Sequence, residues 1–389
     1  MNILYITAGV RTNSFEFAVL KQLKKNGHKI TIVSTNMDTY TGGKINQKTN
    51  DLQPITIDEF STYMLHYNLP VSLGGYSKNA SKLAKNIIEK FDIIHISSWY
   101  YHPAIIFAKT AHEKKIPFII SAYATLQKEN RNRKKIFKWI YDSVYTKKLI
   151  LNASGMHSVG SQETKAYTDL GVKLENIFEI YPSISKEHFI IKNQTEIFSK
   201  LELEKSNSQY LLSLGRVVKR KRIELILNAF SKICQKNKNI ILVIAGSGNQ
   251  SYLNQLKQLA KSLKIDKNVK FAGLVLGDEK LDLLKSTKIL IHAASGDIHP
   301  LAVEEALTMK IPVVVTDCDM PEIEKYDAGI VVEPTIDSLS NGILELIENQ
   351  EKYDIMKNNA EKLVNEEYLV EKQVKKYEQM YEKTIDDPK

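Results

Sequence analysis

An aspartate and a glutamate flank the predicted start of a helix near residue 300. The segment from Ser295 to Leu307 reads SGDIHPLAVEEAL, with the acids at Asp297 and Glu305. Pro300 suits a first helical turn, where its missing N–H is not needed. Free N–H groups at a helix start attract phosphate, and carboxylates beside them can accept hydrogen bonds from sugar hydroxyls. We therefore predict a phosphate and sugar site here; alternatively, Asp297 only complements the helix dipole.

A basic loop follows another predicted strand and forms a second candidate site. Directly after Gly215, the seven residues from Arg216 to Arg222 include five cations. Arg216 and Lys221 are spaced so that both can reach one pyrophosphate. Cations placed there would stabilise the charge that develops on a departing nucleotide. The alternative is a solvated basic loop.

A glycine pair marks a third segment, where Gly246 and Gly248 follow an apolar strand. Glycine there allows the backbone to approach a ligand, although an ordinary turn fits the same residues. The first strand is not followed by a Gly-x-Gly-x-x-Gly sequence, and the chain has no P-loop lysine sequence. Both observations argue against a dinucleotide oxidoreductase and a P-loop nucleotidase.

A strand–helix alternation positions these segments, and it occurs twice along the chain. Apolar runs predict strands at 3–6, 29–33, 92–96, 117–121, 155–159, 177–181, 210–214, 240–245, 269–271, 289–292 and 312–316. Residues 40–80 are predicted as loops with a short helix. Asn13 with Glu16 resembles a capping box at the start of the first helix.

The alternation predicts an α/β protein of two domains with doubly wound parallel sheets. The first spans 1–185 and the second 205–368, with a connecting segment between them and a C-terminal helix at 370–389 that packs back on the first. Such sheets bind ligands at the carboxyl ends of their strands. The candidate segments are therefore expected to face a crevice between the domains.

Composition limits the classes of partner and compartment. The 389 residues are 43% hydrophobic and 25% charged, as in soluble globular proteins, and the net charge of +9 suggests nucleic acid, anionic lipid or phosphorylated small molecules as partners. The two cysteines, Cys234 and Cys318, have no disulfide or metal spacing and fit a reducing cytoplasm. We expect no signal sequence and no transmembrane helix.

Taken in order, the segments resemble the family-four retaining glycosyltransferases, which have the GT-B fold of two Rossmann-like domains facing across a cleft. The resemblance extends from Met1 to about residue 370. The matching residues are Gly215-Arg216 with Lys221, Gly246 with Gly248, Val269, Phe271 and Gly273, Asp297 with Glu305-Ala306, Pro312 to Thr316, and Pro321-Glu322-Ile323. The resemblance implies transfer of a hexose from a nucleotide-diphosphate sugar to a glycan or lipid-linked acceptor, with retention and without a metal or cofactor.

The same resemblance implies roles for individual residues. Arg216 and Lys221 would hold the donor diphosphate, Asp297 the sugar hydroxyls and Glu305 the ribose, and the first three are the expected catalytic residues. The further residues that would contact the donor are Gly215, Gly246, Gly248, Ile298, His299, Pro300, Leu301 and Thr316. Those that would approach the phosphates and the acceptor from the first domain are Gly9, Val10, Arg11 and Tyr123.

The chain departs from the family pattern at several of these positions. Tyr123-Ala124 stands where the family often has His-Gly, and that histidine commonly contacts the transferred sugar. Asp297 replaces a glutamate, and Gly9-Val10-Arg11 lacks the usual glycine pair. Two other functions therefore stay open: a nucleotide-sugar epimerase of similar architecture, and a catalytically silent partner subunit.

A basic stretch from Lys128 to Lys148 contains eight basic and two acidic residues together with several aromatic and aliphatic ones. Ile136, Ile140 and Val144 share one helical face. An amphipathic basic helix of this kind can lie on an anionic membrane, which would suit a lipid-linked acceptor and a peripheral position at the inner membrane face. The alternative is a packed helix with a solvated outer face. We expect no nucleic-acid binding, because no recognition motif accompanies the charge.

Overall fold

The computed structural model describes residues 1–12, 14–37, 49–68, 75–128, 141–203, 209–237 and 239–387. The chain divides into two compact units, of which the first comprises Met1–Ser183 with Val370–Lys389 and the second Ile184–Leu369. The second unit thus includes the described residues 186–203, which lie in the connecting segment expected from the sequence. No helix of the described residues combines the length and apolar character needed to cross a membrane.

The first unit is built on an eight-stranded sheet. Its strands are β1 (Asn2–Ile6), β2 (Lys29–Thr35), β3 (Ile55–Ile57), β4 (Phe60–Leu65), β5 (Ile93–Ser97), β6 (Phe118–Ser121), β7 (Gly155–Ser158) and β8 (Ile177–Glu179). They lie in the order β3-β4-β2-β1-β5-β6-β7-β8, and only β3 and β4 are antiparallel neighbours. The prediction of loops for 40–80 is wrong where this hairpin forms, because its short, partly exposed strands give a weak apolar signal.

Five described helices cover the first sheet: α1 (Phe15–Lys25), α2 (Ala80–Ile87), α3 (His102–Lys114), α4 (Lys147–Leu151) and α5 (Ser161–Asp169). Alternate residues of a strand enter different cores, as with Leu4 and Ile3 of β1, because successive side chains point to opposite faces. The cap of α1 is Ser14, whose hydroxyl accepts from the Phe17 N–H. The capping box expected at Asn13 is therefore wrong, and Asn13 itself lies outside the described residues.

The second unit has a six-stranded, all-parallel sheet and a separate two-stranded ladder. Its strands are β9 (Gln209–Leu214), β10 (Ile240–Ala245), β11 (Val269–Gly273), β12 (Thr287–His292), β13 (Asp297–Ile298), β14 (Val313–Val315), β15 (Cys318–Asp319) and β16 (Gly329–Val331). Its described helices are α6 (Ile197–Lys200), α7 (Ile223–Lys236), α8 (Gln250–Ser262), α9 (Gly277–Lys285), α10 (Leu301–Thr308), α11 (Glu322–Lys325), α12 (Ile336–Glu348) and α13 (Gln350–Leu363). The large sheet runs β11-β10-β9-β12-β14-β16, and β13 pairs with β15.

The last helix, α14 (Val370–Asp386), belongs to the first unit. Val370, Val374, Tyr377 and Met380 lie at helical spacing and are buried in the core that α1 also enters. The apolar face of this charged helix therefore has its partner in the first sheet.

The strand orders confirm the predicted fold class of two Rossmann-like α/β units. In each unit the chain order of the strands reverses at one point, between β1 and β5 in the first and between β9 and β12 in the second. Parallel sheets bind ligands beside the carboxyl ends of the strands at such a point. The loops that follow β1, β9 and β12 contain most of the candidate site residues.

Candidate functional site

The basic loop leaves β9 through Gly215, whose φ of +139° favours glycine. Val217 then pairs with Gly248, and Lys219–Lys221 form one 3₁₀ turn. Arg222 takes a left-handed conformation and begins α7. The fold of this loop thus brings its cations to the carboxyl edge of the second sheet.

Asp297 meets two of these cations. Its Oδ2 atom lies 2.5 Å from Lys221 Nζ and 3.0 Å from His292 Nε2, and its Oδ1 atom contacts the guanidinium of Arg220. The Ser295 N–H also donates to the Arg220 carbonyl at 2.9 Å. The loops after β9 and β12 are therefore joined at the reversal point of the sheet.

Burial and like charges shift the protonation of this cluster. Burial lowers the pKa of Lys221 to about 8, with smaller effects from Arg220 and Arg216. Burial lowers the pKa of His292 to about 3, assisted by Lys221 and Arg220. At neutral pH His292 is therefore an uncharged imidazole, and the Asp297 carboxylate contacts two cations at once. An incoming anion has to compete with Asp297 for those cations.

A small pocket beside the cluster is lined by Gly215, Arg216, Lys221 and His292, among others. Arg216 is exposed, whereas Lys221 and Arg220, which contact Asp297, are more buried. Of the pair predicted to hold a diphosphate, the structure therefore places Arg216 at the open rim and Lys221 in contact with the acid.

The helix after β13 carries the second acid. Pro300 caps α10, and its carbonyl accepts a hydrogen bond from the Val303 N–H. The helix begins at the next residue, Leu301, whose side chain is exposed. Glu305, in the second turn of this helix, pairs with Lys280 of α9 at 2.7 Å. Sequence analysis missed Lys280, because it resembles the many other lysines on solvated helices.

Two further residues predicted to contact the sugar donor make backbone contacts between strands. Ile298 is half-buried and pairs with Asp319 across β13 and β15. Thr316 follows β14, is 2% exposed, and donates its N–H to the His292 carbonyl at 3.0 Å. Both residues fix the backbone around Asp297.

The glycine pair has a packing requirement of its own. A Cβ atom at Gly246 would lie 1.8 Å from the Gly215 carbonyl oxygen, and one at Gly248 would lie 2.4 Å from that of Val217. Gly246 also has φ of +146°. These glycines allow the loops after β9 and β10 to approach each other. The sequence analysis considered a ligand contact and an ordinary turn, but not this packing role.

His299 was predicted for its backbone, but its side chain enters a buried polar cluster that the sequence analysis missed. His299 Nδ1 lies 3.0 Å from Glu304 Oε1, and its Nε2 lies 3.3 Å from Glu322 Oε1. The Tyr368 hydroxyl donates to the same Glu322 oxygen. Of the adjacent acids Glu304 and Glu305, Glu304 is the fully buried one, and the sequence pattern did not distinguish the two.

In the first unit, the loop after β1 holds Gly9, Val10 and Arg11, of which Arg11 is exposed. Just beyond it, Glu16 accepts hydrogen bonds from the Tyr5 hydroxyl at 2.7 Å and from the Ser97 hydroxyl. Tyr5 and Ser97 belong to β1 and β5. A carboxylate missed by the sequence analysis therefore lies at the reversal point of the first sheet.

Tyr123 and Ala124, at the end of β6, both have left-handed backbones, with φ of +48° and +61°. Buried Glu163 holds this turn, because its carboxylate accepts from the Ala124 N–H at 2.6 Å and from the Val159 N–H at 3.0 Å. The Tyr123 ring meets that of His157 edge-on, with centroids 5.9 Å apart. The departure from His-Gly is thus accommodated by a dedicated buried acid.

Most of the basic stretch, residues 129–140, lies outside the described residues, including Ile136 and Ile140 of its apolar face. In the part that is described, Thr146 accepts from the indole N–H of Trp99 at 3.1 Å and is buried. Val144 is 55% exposed and Tyr145 is 38% exposed, so aliphatic and aromatic surface remains beside the packed residues.

Comparison with known proteins matches both halves of the chain. The family model for glycosyl transferases group 1 matches residues 193–363, and that for glycosyltransferase family 4 matches residues 17–188. An uncharacterized glycosyltransferase of Methanocaldococcus jannaschii is 25% identical over 360 residues, which cover 89% of this chain and 87% of that protein. N-acetyl-alpha-D-glucosaminyl L-malate synthase of Bacillus anthracis is 22% identical over 95% of this chain and 93% of its own length.

Solved structures show the same architecture. HepE of Anabaena, in complex with UDP and glucose, has a TM-score of 0.72 at 16% identity and covers 98% of this chain and 99% of its own. Sucrose-phosphate synthase of Thermosynechococcus elongatus also has a TM-score of 0.72, at 14% identity, and covers 99% of both chains. These similarities establish the GT-B fold.

Proposed function

The chain belongs to the family-four glycosyltransferases of the GT-B fold, and on this premise we propose that it transfers a hexose from a nucleotide-diphosphate sugar to a glycan or lipid-linked acceptor, with retention and without a metal ion. The observation that carries the proposal is the contact of Lys221 and Arg220 with Asp297 at the reversal point of the second sheet. Cations, a carboxylate and a helix start lie close together there. The diphosphate of a sugar nucleotide requires the cations and the helix start, and its sugar requires the carboxylate.

In the proposed complex, the donor diphosphate replaces Asp297 as the partner of Lys221 and engages Arg216 at the rim. Asp297 is then released to accept hydrogen bonds from the sugar hydroxyls, and Glu305 accepts those of the ribose. The cationic side chains supply positive charge where the leaving phosphate becomes more negative.

The proposed step breaks the bond between sugar C1 and the donor phosphate oxygen and forms a bond from C1 to the acceptor oxygen on the same face. The acceptor proton passes to the leaving phosphate. Asp297 is assigned no covalent role, because in the proposed complex its oxygens accept hydrogen bonds from the sugar hydroxyls.

A uridine nucleotide is the first donor to test, because the similar HepE structures contain UDP and UDP-glucose. Thermal-shift measurement should compare UDP-, GDP- and ADP-glucose, since a bound donor raises the melting temperature by mass action. We expect one nucleotide class to stabilise the protein. Asp297→Ala and Lys221→Ala should both abolish turnover, and a wild-type protein inert with every donor would favour the silent-subunit alternative.

Turnover experiments then separate transfer from epimerisation. A transferase releases nucleotide in proportion to acceptor, whereas an epimerase converts the donor without one. Nuclear magnetic resonance of the product reports whether the anomeric configuration is retained, and unchanged turnover in EDTA is the expected result for a reaction that needs no metal.

Contact with an anionic membrane is part of the proposal for a lipid-linked acceptor. Exposed Val144 and Tyr145 lie beside exposed Lys147 and Lys148, which is the combination that an interfacial helix uses. Sedimentation with phosphatidylglycerol vesicles at low salt should show binding that Val144→Ser with Tyr145→Ser weakens. Absence of sedimentation by the wild-type protein would exclude this contact.

A further inference from the structure

The cluster of His299, Glu304, Glu322 and Tyr368 is buried directly behind the loop that carries Asp297. His299 and Glu322 are each 3% exposed, and Glu304 and Tyr368 are fully buried. Among the described residues, the Oε2 atoms of both glutamates have no hydrogen-bond partner. Buried carboxyl groups are costly, so their retention here calls for a physical role.

The backbone that these side chains hold is strained. His299 has φ of +40°, a left-handed conformation that L residues avoid and that costs about 1–3 kcal/mol. Such a conformation persists only where its surroundings impose it. Residues before His299 are fixed by the pairing of β13 with β15, and residues after it by the start of α10. At His299 itself, the side chain is the remaining anchor.

The contacts place one shared proton in the anchor. His299 Nδ1 is hydrogen-bonded to Glu304 Oε1 at 3.0 Å, and Nε2 lies 3.3 Å from Glu322 Oε1, which accepts from the Tyr368 hydroxyl. With the imidazole uncharged, the proton of the first bond is carried by Nδ1 or by Glu304, and we assign it to Glu304, because a buried carboxyl group beside other acids favours its protonated form. A neutral set of this kind avoids most of the cost of burying ions.

The electrostatic surroundings favour the same arrangement. Burial raises the pKa of Glu304 well above its usual value, and Glu322 and Glu305 raise it further. Burial lowers the pKa of His299 to about 3. The charged neighbours of Glu322 among the described residues are acids as well, and Asp319 and Glu367 raise its pKa as Glu305 raises that of Glu304.

We propose that His299, clamped between Glu304 and Glu322, is the positioning residue that holds the backbone of residues 297–301 in the conformation that receives the donor. None of the three side chains is required to touch the sugar nucleotide. The inference rests on the proposed function, because it assigns that backbone to the donor. It adds that donor affinity depends on a proton kept on Glu304.

The test compares three variants in the full-length protein. His299→Phe keeps a planar ring but leaves the two acids facing each other without an imidazole. Glu304→Gln keeps a donor for Nδ1, whereas Glu304→Leu removes it. We expect the donor KM to rise about tenfold in His299→Phe and Glu304→Leu with a smaller change in kcat, and Glu304→Gln to stay within about twofold of wild type. His188→Phe, at an exposed histidine of the same unit, is the control.

The pH profile provides a second, independent readout. In the wild type, the donor KM should rise as pH increases and Glu304 loses its proton, and Glu304→Gln should flatten this rise. The sign for stability is the same: a carboxyl group with a raised pKa favours folding most at low pH, so the stability it contributes declines as pH rises. Chemical unfolding at several pH values measures this without any donor.

The outcomes separate the two proposals. A wild-type protein that neither binds nor turns over any nucleotide sugar would overturn the proposed function, whereas the unfolding profiles would still test the protonated clamp. Normal donor KM in a folded His299→Phe would overturn the positioning role. If His299→Phe does not fold, the pH profiles of wild type and Glu304→Gln decide, and identical profiles would overturn it.

Discussion

Replacing Asp297 with asparagine should change nucleotide binding and sugar transfer in opposite directions. Asp297 contacts both Lys221 and Arg220 and offsets part of their charge. Asparagine has nearly the same shape but no charge, so both cations become available to a diphosphate. Free UDP and inorganic pyrophosphate should therefore bind more tightly, while transfer should fall because the sugar loses its charged acceptor.

The magnitude follows from the geometry. Charges 2.5 Å apart attract by about 6–7 kcal/mol at an effective dielectric constant of about 20. The desolvation of a mostly buried pair offsets several kcal/mol of that attraction. A net gain of about 1.4–3 kcal/mol remains, which corresponds to roughly 10- to 100-fold tighter binding of the diphosphate. Loss of a charged hydrogen bond to the sugar should lower kcat/KM by a similar or larger factor.

Isothermal titration with UDP and with pyrophosphate measures the first effect, and initial rates with the donor found by thermal shift measure the second. Asp317→Asn is the matched control, because Asp317 pairs with Arg222 of the same basic loop at 2.8 Å but is exposed. It should change both quantities little. Weaker diphosphate binding in Asp297→Asn would refute the reasoning, since it would mean that the acid does not compete for the cations.

Three further predictions concern Lys221, Glu305 and Gly246. Because the pKa of Lys221 is about 8, diphosphate affinity should fall between about pH 7.5 and 9 as the lysine loses its charge, and the slope in this range should be smaller in Lys221→Arg; a titration series at constant ionic strength checks this. Glu305→Gln should raise the donor KM about tenfold, whereas Glu361→Gln, which removes a half-buried acid also paired with a lysine at 2.7 Å, should not, as steady-state kinetics will show. Gly246→Ala should lower stability by about 3 kcal/mol or more because its Cβ meets a carbonyl, against about 1 kcal/mol for Gly277→Ala, which has open space; urea unfolding compares them.

The parts of the fold that the sequence predicts are those set by local patterning. Apolar runs such as 240–245 become central strands because a parallel sheet buries both faces. The hairpin of β3 and β4 escaped prediction for the converse reason, since an edge pair exposes part of each strand. The loop at Gly215 and the start of α10 could be placed from turn chemistry to within one residue, since Pro300 caps the helix and does not lie in its first turn.

The parts of the site that the sequence does not predict depend on partners that only the folded backbone brings together. Glu16, Glu163 and Glu304 look like ordinary helical acids until Tyr5, Ala124 and His299 approach them. Each accepts or shares hydrogen bonds that only the folded chain provides. Sequence patterns indicate which residues can ionise, but burial decides which carboxylates can remain charged.

The contact between Asp297 and the basic loop should also affect how strongly the protein prefers the intact donor to the released nucleotide. Aspartate, with one methylene fewer than glutamate, contacts Lys221, Arg220 and His292 from a site that is 8% exposed. A donor that satisfies the cations with its phosphates and the acid with its sugar replaces this pairing completely. A nucleotide without the sugar replaces only half of it and leaves a buried carboxylate without its partners. The same pairing should therefore favour the intact donor over the released nucleotide, and Asp297→Asn should remove that preference.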